Sequence, residues 1–342
     1  MQIALNSAWA SPCKAHYSNM LTLSNRSLTV TILDPRQQPQ QRLGPRFCSG
    51  GHVVRIVDNS RGGADLLTAS DPTTSVVVQQ PDRWRAGSEG LPDSFAHRPL
   101  HNPPTGVFSD DTRGLVIGAG IVDTRGAVSF HTVRPAPPTA PPEPSLLEPC
   151  QWEVEPFTLP GEPPEAVTGL HFRTSQQHGG WALELLRTVT LINRTVRVNT
   201  ILTNTGDQRI PLVWHPHPFY PWPSGTMLFS TNLELDVQQG EGFSIDAITG
   251  TLRREKANPS MVFLSHKPAN DAPLIVSNQR HPVVESGVSA QLSYIPTFFP
   301  VWGNEATVSW EPYYERTLQM GIPEQWAIDY HFGDDAPTTA RL

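Results

Sequence analysis

The chain has 342 residues, of which 38% are hydrophobic and 17% charged, and its formal net charge is −7. This modest acidic balance, without a basic tract interleaved with aromatics, argues against a nucleic-acid partner. No stretch approaches the ~20 apolar residues of a membrane-spanning helix, so no membrane partner is expected. The 35 prolines and 25 glycines leave little room for long helices, because proline ends helices and is confined to turns and strand edges. The composition therefore predicts an all-β protein.

The N-terminal residues and the cysteines indicate the compartment. The segment 1–14 lacks a basic region followed by a sustained apolar run, so no signal peptide is predicted. The three cysteines, Cys13, Cys48 and Cys150, are scattered without C-x-x-C spacing, which favours a reducing compartment and no disulfide framework. We therefore expect a cytoplasmic protein, either a monomer or a homodimer.

Short runs rich in β-branched residues predict strands along the whole chain, at 28–33, 52–57, 74–79, 127–133, 181–192, 195–206, 226–235, 261–264, 273–277, 288–294, 306–310 and 326–332. The run 181–192 could form a helix by propensity. Because a second strand-like segment follows at 195–206, we predict instead that the two segments form a β-hairpin. No segment shows an apolar stripe of helical period over three turns.

A proline-rich stretch covers residues 135–149 (PAPPTAPPEPSLLEP). It predicts a semi-rigid surface excursion between two strands, and a ligand for an SH3-type domain is the alternative. The strand pattern is the same on both sides of this stretch. We therefore predict a single domain over residues 1–342.

Two polar motifs with aromatic neighbours lie about a hundred residues apart. The run WHPHPFYPW at 214–222 contains His215 and His217, and VSWEPYYE at 308–315 contains Glu311. A carboxyl group among aromatics tends to have a raised pKa and suits general-base work, and a histidine can supply the matching acid. A salt bridge of Glu311 with Arg316 is the alternative. The second carboxylate, Glu315, is expected to be structural.

Aromatic side chains near these motifs can bind a sugar ring. Trp214, Trp222 and Trp302 are the candidates for stacking on it. Because alternate strand residues share a face, the H-x-H pair could also hold a metal. No carboxylate follows the pair within the next few residues, so no metal is predicted.

The segment 87–101 (GSEGLPDSFAHRPLH) supplies further polar side chains. Asp93, His97, Arg98 and His101 could contribute to a site, and a solvated loop is the alternative.

The two polar motifs resemble those of the galactose mutarotase (aldose 1-epimerase) superfamily. The stretch 195–221 resembles that family's strand–turn–strand unit, which ends in a motif of the H-P-[YF]-F type matched here from His217 to Tyr220. The stretch 308–332 resembles the family's E-P…G…W…Y-x-F ending. The segments GLPDSF at 90–95 and GLVIGAGIV at 114–122 resemble a weaker N-terminal pattern.

The resemblance implies a large antiparallel β-sandwich and an isomerase that interconverts the α and β anomers of an aldose without a cofactor. It implies that His217 is the general acid and Glu311 the general base, roughly 5–9 Å apart on either side of the ring. The family's second histidine, in an L-H-G or R-H-G motif, is absent; either His97 or His101 replaces it, or the site lacks it. Arg98 would be the counterpart of the family's substrate-binding arginine.

Three alternatives stay open at this point. One is a non-catalytic carbohydrate-binding or regulatory protein with the same fold. Another is a metal-dependent sugar enzyme that uses His215 and His217. The third is a hexose-phosphate epimerase, for which Arg83, Arg85 and Arg98 would bind the phosphate.

Overall fold

The computed structural model describes residues 20–37, 45–67, 89–96, 99–101, 112–125, 145–163, 167–223, 225–232, 234–256, 261–266, 275–280, 287–303 and 307–334. Strands make up 61% of the described residues and helix 3%, which confirms the predicted all-β class. Over the same ranges, the search for a helix long and apolar enough to span a membrane finds none.

The strands are numbered in chain order: β1 (Met20–Ser24), β2 (Leu28–Leu33), β3 (Val53–Asp58), β4 (Ala64–Asp65), β5 (Asp93–Ser94), β6 (Leu100–His101), β7 (Arg113–Val116), β8 (Gly120–Asp123), β9 (Ser145–Pro149), β10 (Glu153–Phe157), β11 (Gly169–His178), β12 (Trp181–Ile192), β13 (Thr195–Asn204), β14 (Ile210–Pro216), β15 (Tyr220–Pro221), β16 (Met227–Thr231), β17 (Leu235–Gly240), β18 (Phe243–Ile245), β19 (Leu252–Arg254), β20 (Met261–His266), β21 (Ile275–Arg280), β22 (Gly287–Leu292), β23 (Phe299–Gly303), β24 (Thr307–Trp310), β25 (Tyr314–Leu318) and β26 (Pro323–Phe332). Two short 3₁₀ helices cover Pro35–Gln37 and Asn59–Arg61.

Two large sheets organise these strands. A ten-stranded sheet has the order β10-β11-β12-β13-β26-β22-β21-β16-β19-β18, and a five-stranded sheet has the order β15-β24-β23-β20-β17. Smaller sheets are β25-β14-β5, β1-β2-β3-β4 and β6-β7-β8-β9. One cluster of buried apolar side chains includes Leu185 and Val198 of the ten-stranded sheet together with Val262 and Val301 of the five-stranded sheet. This shared core is the interior of a large antiparallel β-sandwich.

The hairpin predicted at 181–206 is confirmed. β12 and β13 pair antiparallel over their whole length, and Asn193 in the connecting turn has a φ of 51°, a left-handed conformation that asparagine tolerates well. Along β13, Val196 and Val198 are buried while Arg197 alternates with them. Period-two alternation thus overrides the helical propensity of WALELLRTVTLI.

The proline-rich stretch is in part a strand, which corrects the prediction of a surface excursion for its last five residues. β9 pairs antiparallel with β8, from Asp123↔Ser145 to Gly120↔Pro149. Residues 145–148 contain no proline, so nothing prevents them from donating to the ladder, and Pro149 ends the strand. Residues 135–144 and the strands predicted at 74–79 and 127–133 lie outside the described residues.

Candidate active site

Strand β14 directs two histidines away from the core. Leu212 and Trp214 are buried in the apolar core, and because alternate strand residues face opposite sides, His215 and His217 share the other face. The backbone N–H of His217 donates to Pro92 O at 2.8 Å. Both imidazoles are nonetheless almost fully buried, so any polar contact they make takes place largely without water.

Trp214 does not line the site, which corrects its assignment as a sugar-stacking residue. It is 1% exposed and packs at ring-centroid distances of 5.3 Å from Trp326, 5.9 Å from Tyr294 and 6.5 Å from Phe95. The alternation along β14 explains this position, because Trp214 is one residue from His215 and therefore points to the opposite face.

Strand β24 brings the carboxylate of Glu311 next to the two histidines. Ser309 and Glu311 are two residues apart, and Trp302 lies directly opposite Ser309 on the neighbouring strand β23. The backbone N–H of Glu311 donates to Pro300 O at 2.9 Å, which continues the pairing past the end of β24. The five-stranded sheet thus carries a serine, a tryptophan and a glutamate close together.

His217 and Glu311 are in direct contact. Nε2 of His217 lies 3.0 Å from Oε1 of Glu311, and Nε2 of His215 lies 3.8 Å from Oε2. The spacing of 5–9 Å expected for this pair is therefore wrong, because strands of two different sheets bring both side chains together in the buried interior. Oε1 of Glu311 has no partner with hydrogen-bond geometry among the described residues, so the contact with Nε2 is close but poorly aligned.

The other contacts of His217 indicate which ring nitrogen carries the hydrogen. Nη2 of Arg46 lies 3.1 Å from Nε2, and Oγ of Ser309 lies 3.0 Å from Nδ1. A guanidinium can only donate, so Nε2 accepts from it. A neutral imidazole then carries its hydrogen on Nδ1 and donates it to Ser309 Oγ. The contacts therefore favour a neutral His217 whose Nε2 is the acceptor.

Burial holds the proton on Glu311. It raises the pKa of Glu311 from 4.5 to about 8, although the charge of Arg46 acts in the opposite direction. This confirms the raised pKa expected from the aromatic surroundings. Near neutrality the carboxyl group is mainly protonated beside a neutral imidazole, so the implied roles of base and acid are reached only when this proton moves to His217.

Aromatic rings enclose the pair. Phe219 stacks on His217 at 4.5 Å and Phe47 meets it edge-on at 5.7 Å, while Tyr313 stacks on His215 at 4.4 Å with an interplanar angle of 4°. Trp302, which is half-buried, lies 5.8 Å from His217 between ring centroids. Of the three tryptophans considered, Trp302 is the one that borders the pair.

The remaining candidates are elsewhere or undescribed. His97 and Arg98 lie outside the described residues. His101 is exposed and its ring contacts Arg113 O at 3.2 Å, so it does not replace the second histidine. The ring of Trp222 is nearly buried and is covered by the guanidinium of Arg254, 4.5 Å from the ring centroid, so that face is not open to a sugar.

Sequence reasoning missed three members of the site. His215 was considered only as a metal ligand, yet its position two residues before His217 places it on the same strand face beside Glu311. Ser309 has the same relation to Glu311. Arg46 belongs to neither motif, and no local pattern in the sequence connects it with His217, 171 residues away.

The described residues contain no group of three or more His, Cys, Asp or Glu side chains arranged to hold a metal ion.

Comparisons with known proteins agree at the level of fold. No protein-family model matches the chain, and no curated protein matches it. The chain is similar to the structure of a galactose mutarotase related enzyme from Lactobacillus acidophilus, with 12% identity and a TM-score of 0.56 over 92% of this chain and 97% of the other. A candidate aldose 1-epimerase from Escherichia coli gives 11% identity and a TM-score of 0.53 over 92% and 98% of the two chains. A protein from Synechocystis has 13% identity and a TM-score of 0.50, over 92% of this chain and 96% of the other. The sandwich and these similarities show that the chain has the galactose mutarotase-like fold.

Proposed function

We propose that the protein is an isomerase of the aldose 1-epimerase type, which interconverts the anomers of a free aldose. The observation that carries the proposal is the contact of 3.0 Å between His217 and Glu311 in a buried, aromatic-lined pocket. Ring opening needs one group to take a proton and another to give one. Near neutral pH, a histidine paired with a glutamate whose own pKa is about 8 is suited to both tasks.

The mechanism starts from the proton on Glu311. Its transfer to Nε2 of His217 gives a carboxylate and an imidazolium, with Ser309 continuing to accept from Nδ1. The carboxylate then takes the proton of the anomeric hydroxyl while the imidazolium donates to the ring oxygen, and the C1–O5 bond breaks. Rotation about the C1–C2 bond and reclosure with the roles reversed give the other anomer, and every proton is returned.

Arg46 has a place in this sequence. Once Nε2 of His217 carries a proton it no longer accepts from Nη2 of Arg46, and that N–H can donate to a sugar oxygen instead. Arg46 is half-buried and its charged group lies 4.7 Å from the ring centroid of Phe47, the ring that also meets His217 edge-on. We therefore assign substrate binding to Arg46, with Trp302 as the stacking surface.

Polarimetry of freshly dissolved glucose and galactose tests the proposal. Because a positioned acid or base typically contributes 10²–10⁴-fold, Glu311→Gln and His217→Asn should each lower the mutarotation rate by about that factor. Glu315→Gln is the matched control, since Glu315 is exposed four residues from Glu311 and should be nearly silent. Sugar binding by a wild type that accelerates no aldose would favour the carbohydrate-binding alternative.

A phosphorylated aldose is the second candidate substrate, and the position of Arg46 beside the pair favours it. Arg83, Arg85 and Arg98, which were considered as phosphate ligands, lie outside the described residues. The same polarimetric assay with glucose 6-phosphate distinguishes the two substrates. A single domain, a monomer or homodimer and a cytoplasmic location stay predictions.

A further inference from the structure

A fully buried ion pair lies behind the active site. Arg187, in the middle of β12, contacts the carboxylate of Asp93 on β5, and their side chains are 0% and 4% exposed. Two further guanidinium nitrogens of Arg187, Nε and Nη1, are buried without a hydrogen-bond partner among the described residues. The residues come from different sheets and are 94 positions apart in the chain.

This pair is not explained by stability alone. Burial raises the pKa of Asp93, although Arg187 acts to lower it. Burial likewise opposes the charge on Arg187, and its attraction to Asp93 leaves its pKa above the ordinary value. Replacing a buried ion pair with apolar residues of similar volume is often neutral or stabilising. Core packing therefore does not account for a buried ion pair with two unsatisfied donors. The groups that this pair holds in place are the ones to consider.

The residues around Asp93 hold both sides of the active site. In the segment 90–94, Pro92 O accepts from the backbone N–H of His217 at 2.8 Å. On its other side, Asp93 O accepts from the backbone N–H of Cys48 at 2.8 Å, and Ser94 Oγ donates to Arg46 O at 2.9 Å. Asp93 also pairs in register with Pro216 of β14. The segment therefore lies between the backbone that bears His217 and the backbone that bears Arg46.

The segment is fixed at two points. At one end, a Cβ on Gly90 would lie 2.0 Å from Val53 O, so the backbone there is pressed against β3. Near the other end, the side chain of Asp93 is tied to Arg187 in the ten-stranded sheet. We propose that the Asp93–Arg187 ion pair is a positioning device that fixes the segment 90–94 and, through it, the placement of His217 and Arg46 around Glu311.

The proposal rests on the proposed isomerase function, and Asp93→Asn tests it. The amide keeps the shape of the carboxylate but weakens its hold on Arg187. Because misplacement of reacting groups by about 1 Å can cost ~10²-fold in rate, kcat for mutarotation should fall about 10- to 100-fold. The pH profile should also shift, because a loosened site admits water and so weakens the burial that raises the pKa of Glu311.

Asp58→Asn is the matched control. Asp58 is also a buried aspartate with an arginine partner, Arg194, but it lies at the end of β3 and bonds neither Arg46 nor His217. It should affect unfolding without moving kcat or the pH profile. Equal effects of Asp93→Asn and Asp58→Asn on unfolding and on kcat, with an unchanged pH profile in both, would overturn the proposal and leave a purely structural pair.

Two further measurements keep the inference separate from the proposed function. The pKa of the Glu311 carboxyl group, followed by NMR with ¹³C-labelled glutamate, should fall by about one unit or more in Asp93→Asn and stay unchanged in Asp58→Asn, whether or not any aldose is a substrate. An unchanged Glu311 pKa refutes the positioning role. If the single variant does not fold, the double variant Asp93→Asn with Arg187→Gln leaves no orphaned charge and should show the same fall in the pKa of Glu311. An unchanged pKa of Glu311 in the double variant would contradict the proposal.

Discussion

The raised pKa of Glu311 makes the stability of the folded protein depend on pH. The unfolded chain releases this proton near pH 4.5, whereas the folded protein keeps it until about pH 8. Between these values the folded state binds more protons than the unfolded state, so the free energy of unfolding falls as the pH rises. Replacing Glu311 with glutamine removes the titration while preserving the shape of the side chain.

The size of the effect follows from the shift. The difference between 4.5 and about 8 is roughly 3.5 pKa units, and at 1.36 kcal/mol per unit it corresponds to about 5 kcal/mol. This is an upper value, because a buried carboxylate can draw in water when it ionises. Even half of it is a large part of the 5–15 kcal/mol typical of folded proteins.

Urea unfolding of wild type and Glu311→Gln at several pH values from 5 to 9 measures the effect, with the fluorescence of the nine tryptophans as the signal. The two proteins should be similar in stability near pH 5, and the variant should become the more stable one as the pH approaches 9. Other carboxyl groups, including Asp93, contribute equally to both proteins and cancel in the difference. A difference in stability that stays constant over this pH range would falsify the argument that burial holds the proton on Glu311.

Three further substitutions separate the roles of neighbouring residues. Ser309→Ala removes the acceptor at Nδ1 of His217 and should lower the mutarotation rate by roughly 10-fold with little change in KM, since the hydrogen bond matters most when the imidazole is charged; a larger effect on KM than on kcat would contradict this. Arg46→Gln should mainly raise KM, and isothermal titration with galactose checks whether binding weakens accordingly. Trp302→Ala should weaken sugar binding while the unfolding midpoint changes little, whereas Trp214→Ala should destabilise the fold by about 3–5 kcal/mol; the reverse ranking in urea unfolding would show that the two tryptophans have been assigned to the wrong places.

Local patterns in the sequence were sufficient for the class of fold and for the principal pair. Proline content excluded long helices, and period-two alternation identified the β12–β13 hairpin, because both effects act within a few residues of the chain. His217 and Glu311 each stand in a short motif with aromatic neighbours, so each could be found alone. The same alternation, applied to β14, would also have placed Trp214 in the core and His215 beside His217.

The tertiary structure decided which distant residues meet. The approach of Arg46 to His217 and of Arg187 to Asp93 spans 171 and 94 positions of the chain, and it depends on the order and register of strands in different sheets. Alternation tells which face a residue occupies but not which strand lies opposite it. The 3.0 Å contact between His217 and Glu311 and the burial that raises the pKa of Glu311 arise from the same long-range packing. The sequence by itself therefore determined the class of fold and the two motifs that hold His217 and Glu311, whereas the distances, the burial that raises the pKa of Glu311 and the supporting residues came only from the folded chain.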